Sequence, residues 1–443
     1  MGCPTAHRRA LVSLAYPVYL ELLAGVAAGI INTVWVARLG GGAVAAVAVA
    51  TNVENVLLGV ALMAGSGTTV LLARARGADD PDGMRAAVRG GWALWALLAP
   101  AVAAGGFLCR ETLARLVLGA DAGEALPLAT GYFSIALPAM AVLFATNLVD
   151  GILKGAGDTR TPMRLALLAN GIVLVLDPVL VLGCGLGVRG AAIATVAGRT
   201  AALAWGVRAL RRNRVLRAAG PRGRLRYADL RRTVRVGLPL SADFVVRMGG
   251  TLALVAIVAR IGVAEVAAYG IATKAVYGAT MAFYSVRQAA SIHTARLLGA
   301  GRDERRAVGR AALRLSGALG VTASLGLLAG APWIMAAFGA GGEVAAAGTL
   351  YLRCLGPYLL LLSCFIALGG VFEGGGAGPL LARITACGVA LQLGLAHGLS
   401  GLGMPGVCLA MALAAAVQCA ALARLHRGGG RQRLADGSVV RAG

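Results

Sequence analysis

Charge is scarce in this sequence. Charged residues make up 14% of its 443 positions, and only 19 of them are acidic. A soluble domain carries about 25% charge. Here apolar residues reach 58% and mean hydropathy is +0.77. That excess cannot be hidden in water-facing cores, and lipid is its natural solvent. Chemistry-bearing patterns are missing as well. The four histidines (His7, His293, His397 and His426) form neither a metal-ligand nor a triad arrangement. The eight cysteines (Cys3, Cys109, Cys184, Cys354, Cys364, Cys387, Cys408 and Cys419) include no C-x-x-C and mostly lie in or beside apolar segments. They read as small apolar residues, not as a zinc site or a disulfide framework. No G-x-x-x-x-G-K-[ST] loop occurs. The glycine clusters at 155–158 and 373–378 therefore read as tight turns. These absences point away from an enzyme, a cofactor or a bound metal. They favour an ion gradient over ATP as any energy source.

What is present is a series of long apolar runs. A bilayer crossing takes roughly 17–25 such residues. Six candidates lie at 10–36, 43–73, 90–108, 124–149, 162–183 and 188–208. Six more lie at 236–259, 264–293, 314–337, 345–371, 379–400 and 403–423. The first run is too long for the h-region of a signal peptide and reads as an uncleaved span. The net charge of +23 is distributed by side. One set of connections holds Arg8 and Arg9, Arg74 to Arg89, Lys154 to Arg164, Arg208 to Arg235, Arg296 to Arg314, Arg383, and Arg424 to Arg441. The alternate connections hold only Arg38, Arg110, Arg115, Arg189, Arg260 and Arg353. The positive-inside rule places the first set, with both termini, in the cytoplasm of a cell-membrane protein. Such charge can also bind nucleic acid. Its position flanking apolar runs favours membrane lipids as partner, and no nucleic-acid partner is expected.

The two halves repeat. Pro17, Glu21, Arg38, Gly40, Arg74 and Gly77 match Pro239, Asp243, Arg260, Gly262, Arg296 and Gly299, each 222 positions on. Tyr132, Pro138, Gly151, Gly155 and Gly157 match Tyr351, Pro357, Gly370, Gly374 and Gly376 at an offset of 219. Six spans per half start both halves on the same side, so the repeat is parallel. Transporters of that construction hold a central site between rocking lobes. The expected fold is an all-α integral membrane protein of twelve transmembrane helices in two pseudo-symmetric six-helix bundles. The expected divisions are an N-terminal lobe over 1–210, a basic linker over 211–235, a C-terminal lobe over 236–425 and a tail over 426–443.

Four stretches resemble the multidrug and toxic compound extrusion (MATE) family. They are YPVYLELLAGVAAGIINTVWVARLG at 16–40, GDTRTPMRLALLANGIVLVLDPVLVLGCGLGVRGAAIAT at 157–195, GLPLSADFVVRMGG at 237–250 and AAYGIATKAVYGATMAFYSVRQAASIHTARLLGAG at 267–301. The resemblance implies export of small organic solutes against inward flow of protons or sodium ions. The chain also departs from the family's habits. Asn32 stands where the family commonly has an acidic residue, Val173 where it often has Asn, and Arg247 where many members carry Glu.

Ionisable residues inside a bilayer segment are functional candidates by default. Asp177, before Pro178 in the fifth span, is the foremost. Asn170 lies seven residues earlier on the same face. With Asn32 these form the expected ion-coupling site, for a proton or for sodium; a structural carboxylate is the other reading. Glu21 and its repeat partner Asp243 lie toward corresponding helix ends, where capping or gating is expected. Asp243 can pair with Arg247 one turn on. In the eighth span Lys274, Tyr277, Met281, Ser285 and Gln288 recur at helical spacing, a candidate substrate-cavity wall or an inter-helix bonding stripe. Glu54 is a weaker candidate, and Asp150 and Glu373 read as solvated helix-end residues. Arg199, Arg247, Lys274 and Arg287, with few intramembrane aromatics, argue against simple cations as the only substrates. The expected function is a monomeric secondary exporter working by alternating access. A lipid-linked precursor flippase of the same wider superfamily is the alternative.

Overall fold

The computed structural model describes residues 4–118, 123, 125–213, 215–216 and 226–427. Much of the basic linker (214 and 217–225) and the tail beyond 427 lie outside them. The described chain is helical, with no strand among the described residues. The elements are α1 (Pro4–Ala37), α2 (Gly41–Gly77), α3 (Pro81–Leu108), α4 (Arg110–Leu118), α5 (Ala125–Ala136), α6 (Met140–Gly155), α7 (Arg160–Pro178) and α8 (Gly187–Arg212). There follow α9 (Tyr227–Ala259), α10 (Val263–Gly299), α11 (Arg305–Ala337), α12 (Gly342–Cys354), α13 (Gly356–Gly374), α14 (Gly378–Gly398) and α15 (Gly403–Arg427).

Among the described residues, nine helical segments are long and apolar enough to cross a membrane, and the bent pair α5–α6 makes a tenth. The two long helices outside that set are α8 and α10, of 26 and 37 residues. Their lengths suffice, but α8 carries Arg189, Arg199 and Arg208, and α10 carries Lys274 and Arg287. With them, all twelve expected segments are present as helices. Large apolar side chains such as Leu97, Leu108, Leu328 and Trp333 are exposed. A bilayer accepts that surface, because each helix satisfies its own backbone groups.

Two expected spans are each broken in two. The run 124–149 becomes α5 and α6, which meet at an angle of 51°. The run 345–371 becomes α12 and α13. Pro138 and Pro357 sit at these breaks, at equivalent points of the repeat. Proline lacks the N–H that the helix ladder needs, and its ring crowds the carbonyl four residues back. The turns after α6 and α13 are also equivalent. Gly157 and Gly376 adopt φ of 79° and 83°, a region side-chain-bearing residues avoid. Opposite them in the sequence, α3 starts on Asp80, whose Oδ1 accepts from the backbone N–H groups of Asp82 and Gly83 at 3.0 and 2.9 Å.

Packing divides the chain into two compact units. The N-unit comprises Tyr16–Val245 with Ala295–Arg302; the C-unit takes the described residues of Met1–Ala15, Val246–Thr294 and Asp303–Gly443. The boundaries fall inside α1, α9 and α10, and in the connection between α10 and α11. Each unit holds its own core. Phe133, Phe144, Leu148 and Ile152 are buried in the N-unit, and Phe283, Tyr351, Leu359 and Phe365 in the C-unit.

One helix crossing recurs in both units and shows the repeat in three dimensions. In the N-unit α6 lies so close to α2 that a Cβ on Gly151 would stand 2.5 Å from the Gly65 carbonyl oxygen, and one on Gly155 2.9 Å from that of Thr69. The Thr69 hydroxyl joins the two helices by donating to Gly151 O at 2.9 Å. In the C-unit, Gly370 and Gly374 of α13 press in the same way on the carbonyls of Arg287 and Ser291 in α10. Every pair is related by the offsets read from the sequence. Small residues let helix backbones approach this closely.

Candidate functional site

Asp177 is placed by the end of α7. After Pro178 the chain continues as one π-helical turn, Val179–Gly183, with Cys184 N–H donating to Val179 O at 2.8 Å. The missing N–H of Pro178 accounts for the local loosening, and such turns recur at functional sites. The Asp177 side chain is fully buried. Its Oδ2 accepts from Asn32 Nδ2 of α1 at 2.8 Å. Its Oδ1 is buried and has no hydrogen-bond partner among the described residues. An ionised carboxylate left so incompletely matched is costly, and uptake of a proton or a small cation relieves the cost. Asn32 supplies a neutral donor to one oxygen and keeps its own carbonyl oxygen as a second acceptor. Two members of the expected trio are therefore in contact. The third, Asn170, is half-buried on α7, and among the described residues no hydrogen bond joins it to either.

A second network lies within electrostatic reach of Asp177 through Tyr132. The Tyr132 hydroxyl of α5 donates to Glu54 Oε1 of α2 at 3.2 Å. Arg199 of α8 approaches Glu54 Oε2 at 3.9 Å. These three line a small cavity with Ala136, Ala192 and Thr195. Sequence reasoning ranked Glu54 low and treated Tyr132 only as a repeat marker. A tyrosine hydroxyl buried in an apolar segment needs a partner, and that was the signal available.

The third group corrects two expectations. Glu21 pairs with Lys154, whose Nζ lies 2.7 Å from Glu21 Oε1, with both side chains largely buried. Asp150, one turn before Lys154 on α6, interacts electrostatically with both. It is not a solvated helix-end residue: its Oδ1 is buried without a hydrogen-bond partner among the described residues, as is Glu21 Oε2. Lys154 is thus paired with Glu21, and the Asp150 carboxylate lies within electrostatic reach of both. Glu373 in the C-unit is likewise not solvated. It pairs with Arg287 of α10 at 3.0 Å, both side chains again largely buried. Glu373 occupies the repeat position of Lys154, so the two units place opposite charges at one equivalent point.

Asp243 and Arg247 lie one turn apart on α9. Asp243 is fully buried in the N-unit. Arg247 belongs to the C-unit, where its guanidinium lies 5.5 Å from the Tyr284 ring centre, a cation–π arrangement. The α10 stripe does not form a uniform wall. Lys274 and Tyr277 are exposed, Met281 and Gln288 are half-buried, and Ser285 is buried with its hydroxyl donating to Ala282 O at 2.7 Å. Ser285 is thus satisfied within its own helix. Among the described residues no group of histidine, cysteine, aspartate and glutamate side chains has the form of a metal site.

Known proteins resemble this chain along most of its length. The family profile described as MatE matches residues 17–179 and again 239–397, once per half. The probable multidrug resistance protein NorM of Deinococcus radiodurans is 28% identical over 420 residues, 91% of each chain. The probable multidrug resistance protein YpnP of Bacillus subtilis is 26% identical over 253 residues; that match spans 57% of this chain and about half, 56%, of the relative. Among solved structures, an outward-facing multidrug resistance MATE transporter of the MOP superfamily superposes with a TM-score of 0.88 over 96% of both chains at 22% identity, a likeness of fold. With the family's pattern matched once in each half of a twelve-segment helical chain, the protein belongs to the MatE family.

Proposed function

We propose that this protein is a secondary transporter that exports small organic molecules by antiport with protons or sodium ions. Both termini and the arginine-rich connections lie in the cytoplasm in this reading, following the charge asymmetry of the loops. The observation that carries it is Asp177: a fully buried carboxylate with one oxygen held by Asn32 and the other without a partner among the described residues. That arrangement suits reversible uptake of one cation. Because Asn32 cannot ionise, the site changes its charge by one unit at Asp177, with Asn32 serving as its orienting donor. Coupling follows if the ion and the substrate favour different states of the two lobes.

The test uses the full chain in proteoliposomes, with ethidium as probe, under an imposed pH gradient and then a sodium gradient. One gradient drives uptake by the wild type and names the ion, while Asp177→Asn gives no gradient-dependent flux. Equal activity of Asp177→Asn would reduce the residue to a structural role. Silence of the wild type with cationic, neutral and anionic probes alike would end the exporter reading.

A further inference from the structure

A cavity in the N-unit shares no lining residue with the Asp177 site or the Glu54 network. It holds about 270 Å³ and lies where the end of α2, the start of α3, the start of α9 and the end of α10 converge. Arg74 and Arg232 stand in its wall beside Asp80 and Asp229. Each carboxylate already has partners on one of its oxygens. Asp80 caps α3 through two backbone N–H groups. Asp229 accepts from Arg89 at 3.0 Å. Neither Arg74 nor Arg232 has an ion-pair partner among the described residues. Nearby, Arg76 and Arg296 are close enough to act on each other as like charges.

The backbone forces this crowding. Gly77 of α2 lies against the Arg296 carbonyl, and Gly299 of α10 against the Arg74 carbonyl. The contact is reciprocal, as the 222-residue offset requires. It brings two basic helix ends together with no room for a side chain between them. Like charges held this close repel, and salt alone screens them only in part. The space is concave, its wall is mixed polar and apolar, and the solvent-exposed Arg74 and Arg232 have no ion-pair partner among the described residues, which suits a phosphate ligand that arginine engages with paired, charge-assisted hydrogen bonds.

We propose that this cavity is a binding site for a phosphate group, held by Arg74 and Arg232. The phosphate can belong to an anionic phospholipid headgroup or to a soluble phosphate ester, and the experiment separates the two. The site does not depend on the transport reading, since binding is measured without flux.

The full chain is placed in nanodiscs of phosphatidylcholine containing phosphatidylglycerol, and retained lipid is counted by native mass spectrometry. In phosphatidylcholine-only nanodiscs, thermal stabilisation by glycerol 3-phosphate is titrated. Saturable retention of phosphatidylglycerol identifies the headgroup, and saturable stabilisation by glycerol 3-phosphate identifies the soluble ester. Arg74→Gln with Arg232→Gln weakens whichever probe binds by roughly tenfold per arginine, the size of one charge-assisted contact. Arg8→Gln with Arg9→Gln removes equal charge elsewhere and leaves binding intact. Leu298→Trp, which fills the cavity without touching its charge, also abolishes binding and covers the case in which the arginine variant misfolds. The proposal is overturned if neither probe binds saturably to the wild type, if the cavity variants bind like the wild type, or if the Arg8 and Arg9 control loses as much.

Discussion

Lys154→Met is the most informative single perturbation of the N-unit. Its ammonium lies 2.7 Å from Glu21, with side-chain exposures of 10% and 12%. At an effective dielectric constant of ~20, Coulomb's law gives that pair about 6 kcal/mol of attraction. Desolvation of the two ions offsets most of it, so the intact pair is near break-even. Removing one partner is not. Lys154→Met leaves Glu21 without its cation and with Asp150 within electrostatic reach, and the cost of a stranded buried charge is about 3–5 kcal/mol. Glu21→Gln leaves Lys154 with Asp150 still within electrostatic reach and a side-chain amide in place of the carboxylate, so its cost falls to ~1 kcal/mol, the net worth of one hydrogen bond. The predicted signature is this asymmetry. Reversible unfolding in mixed micelles measures it, with Glu21→Gln/Lys154→Met closing the cycle. The double variant should recover about 2 kcal/mol relative to Lys154→Met, within the usual range of coupling between contacting residues. Equal and small losses for the two single variants would refute the burial of this charge pair.

Two further outcomes are expected. Gly151→Ala forces a Cβ against the Gly65 carbonyl and should lower stability by about 1–3 kcal/mol, as overpacking does; thermal unfolding in detergent checks this, and Gly370→Ala should behave alike in the C-unit. Arg287→Met should destabilise the protein more than Arg287→Met combined with Glu373→Met, because the double change does not leave Glu373 stranded; equal losses would mean that the 3.0 Å pair is not the relevant partner.

Segments, their number and the duplication were legible in the sequence because each rests on local runs or fixed offsets. Apolar length marked the spans, and matched prolines and glycines marked the repeat. Asp177 and Asn32 were legible as a site because both are polar residues in apolar runs. The partners were not. Lys154 meets Glu21 across 133 positions, and Tyr132 meets Glu54 across 78. Such pairings depend on how each helix is rotated about its axis, which hydropathy does not encode when the whole surface is apolar. The breaks at Pro138 and Pro357 were missed for a related reason: a bent pair of short helices has the same composition as one long helix. Asn170 shows the converse limit, since sharing a helix face with Asp177 did not bring it into the hydrogen bond.

The matched crossings of α2 with α6 and α10 with α13 also carry a record of descent. The α6 and α13 positions that face the neighbouring backbone are glycine in both halves, Gly151 and Gly155 with Gly370 and Gly374, whereas the position just before the second of each pair is Lys154 in one half and Glu373 in the other. Space has been the inherited quantity, and charge the one free to diverge. A gene joining two copies of the first half would therefore reproduce the spacing of the bundle but not its electrostatics. The ancestral half-length chain, pairing with itself, could not have carried opposite charges at that point.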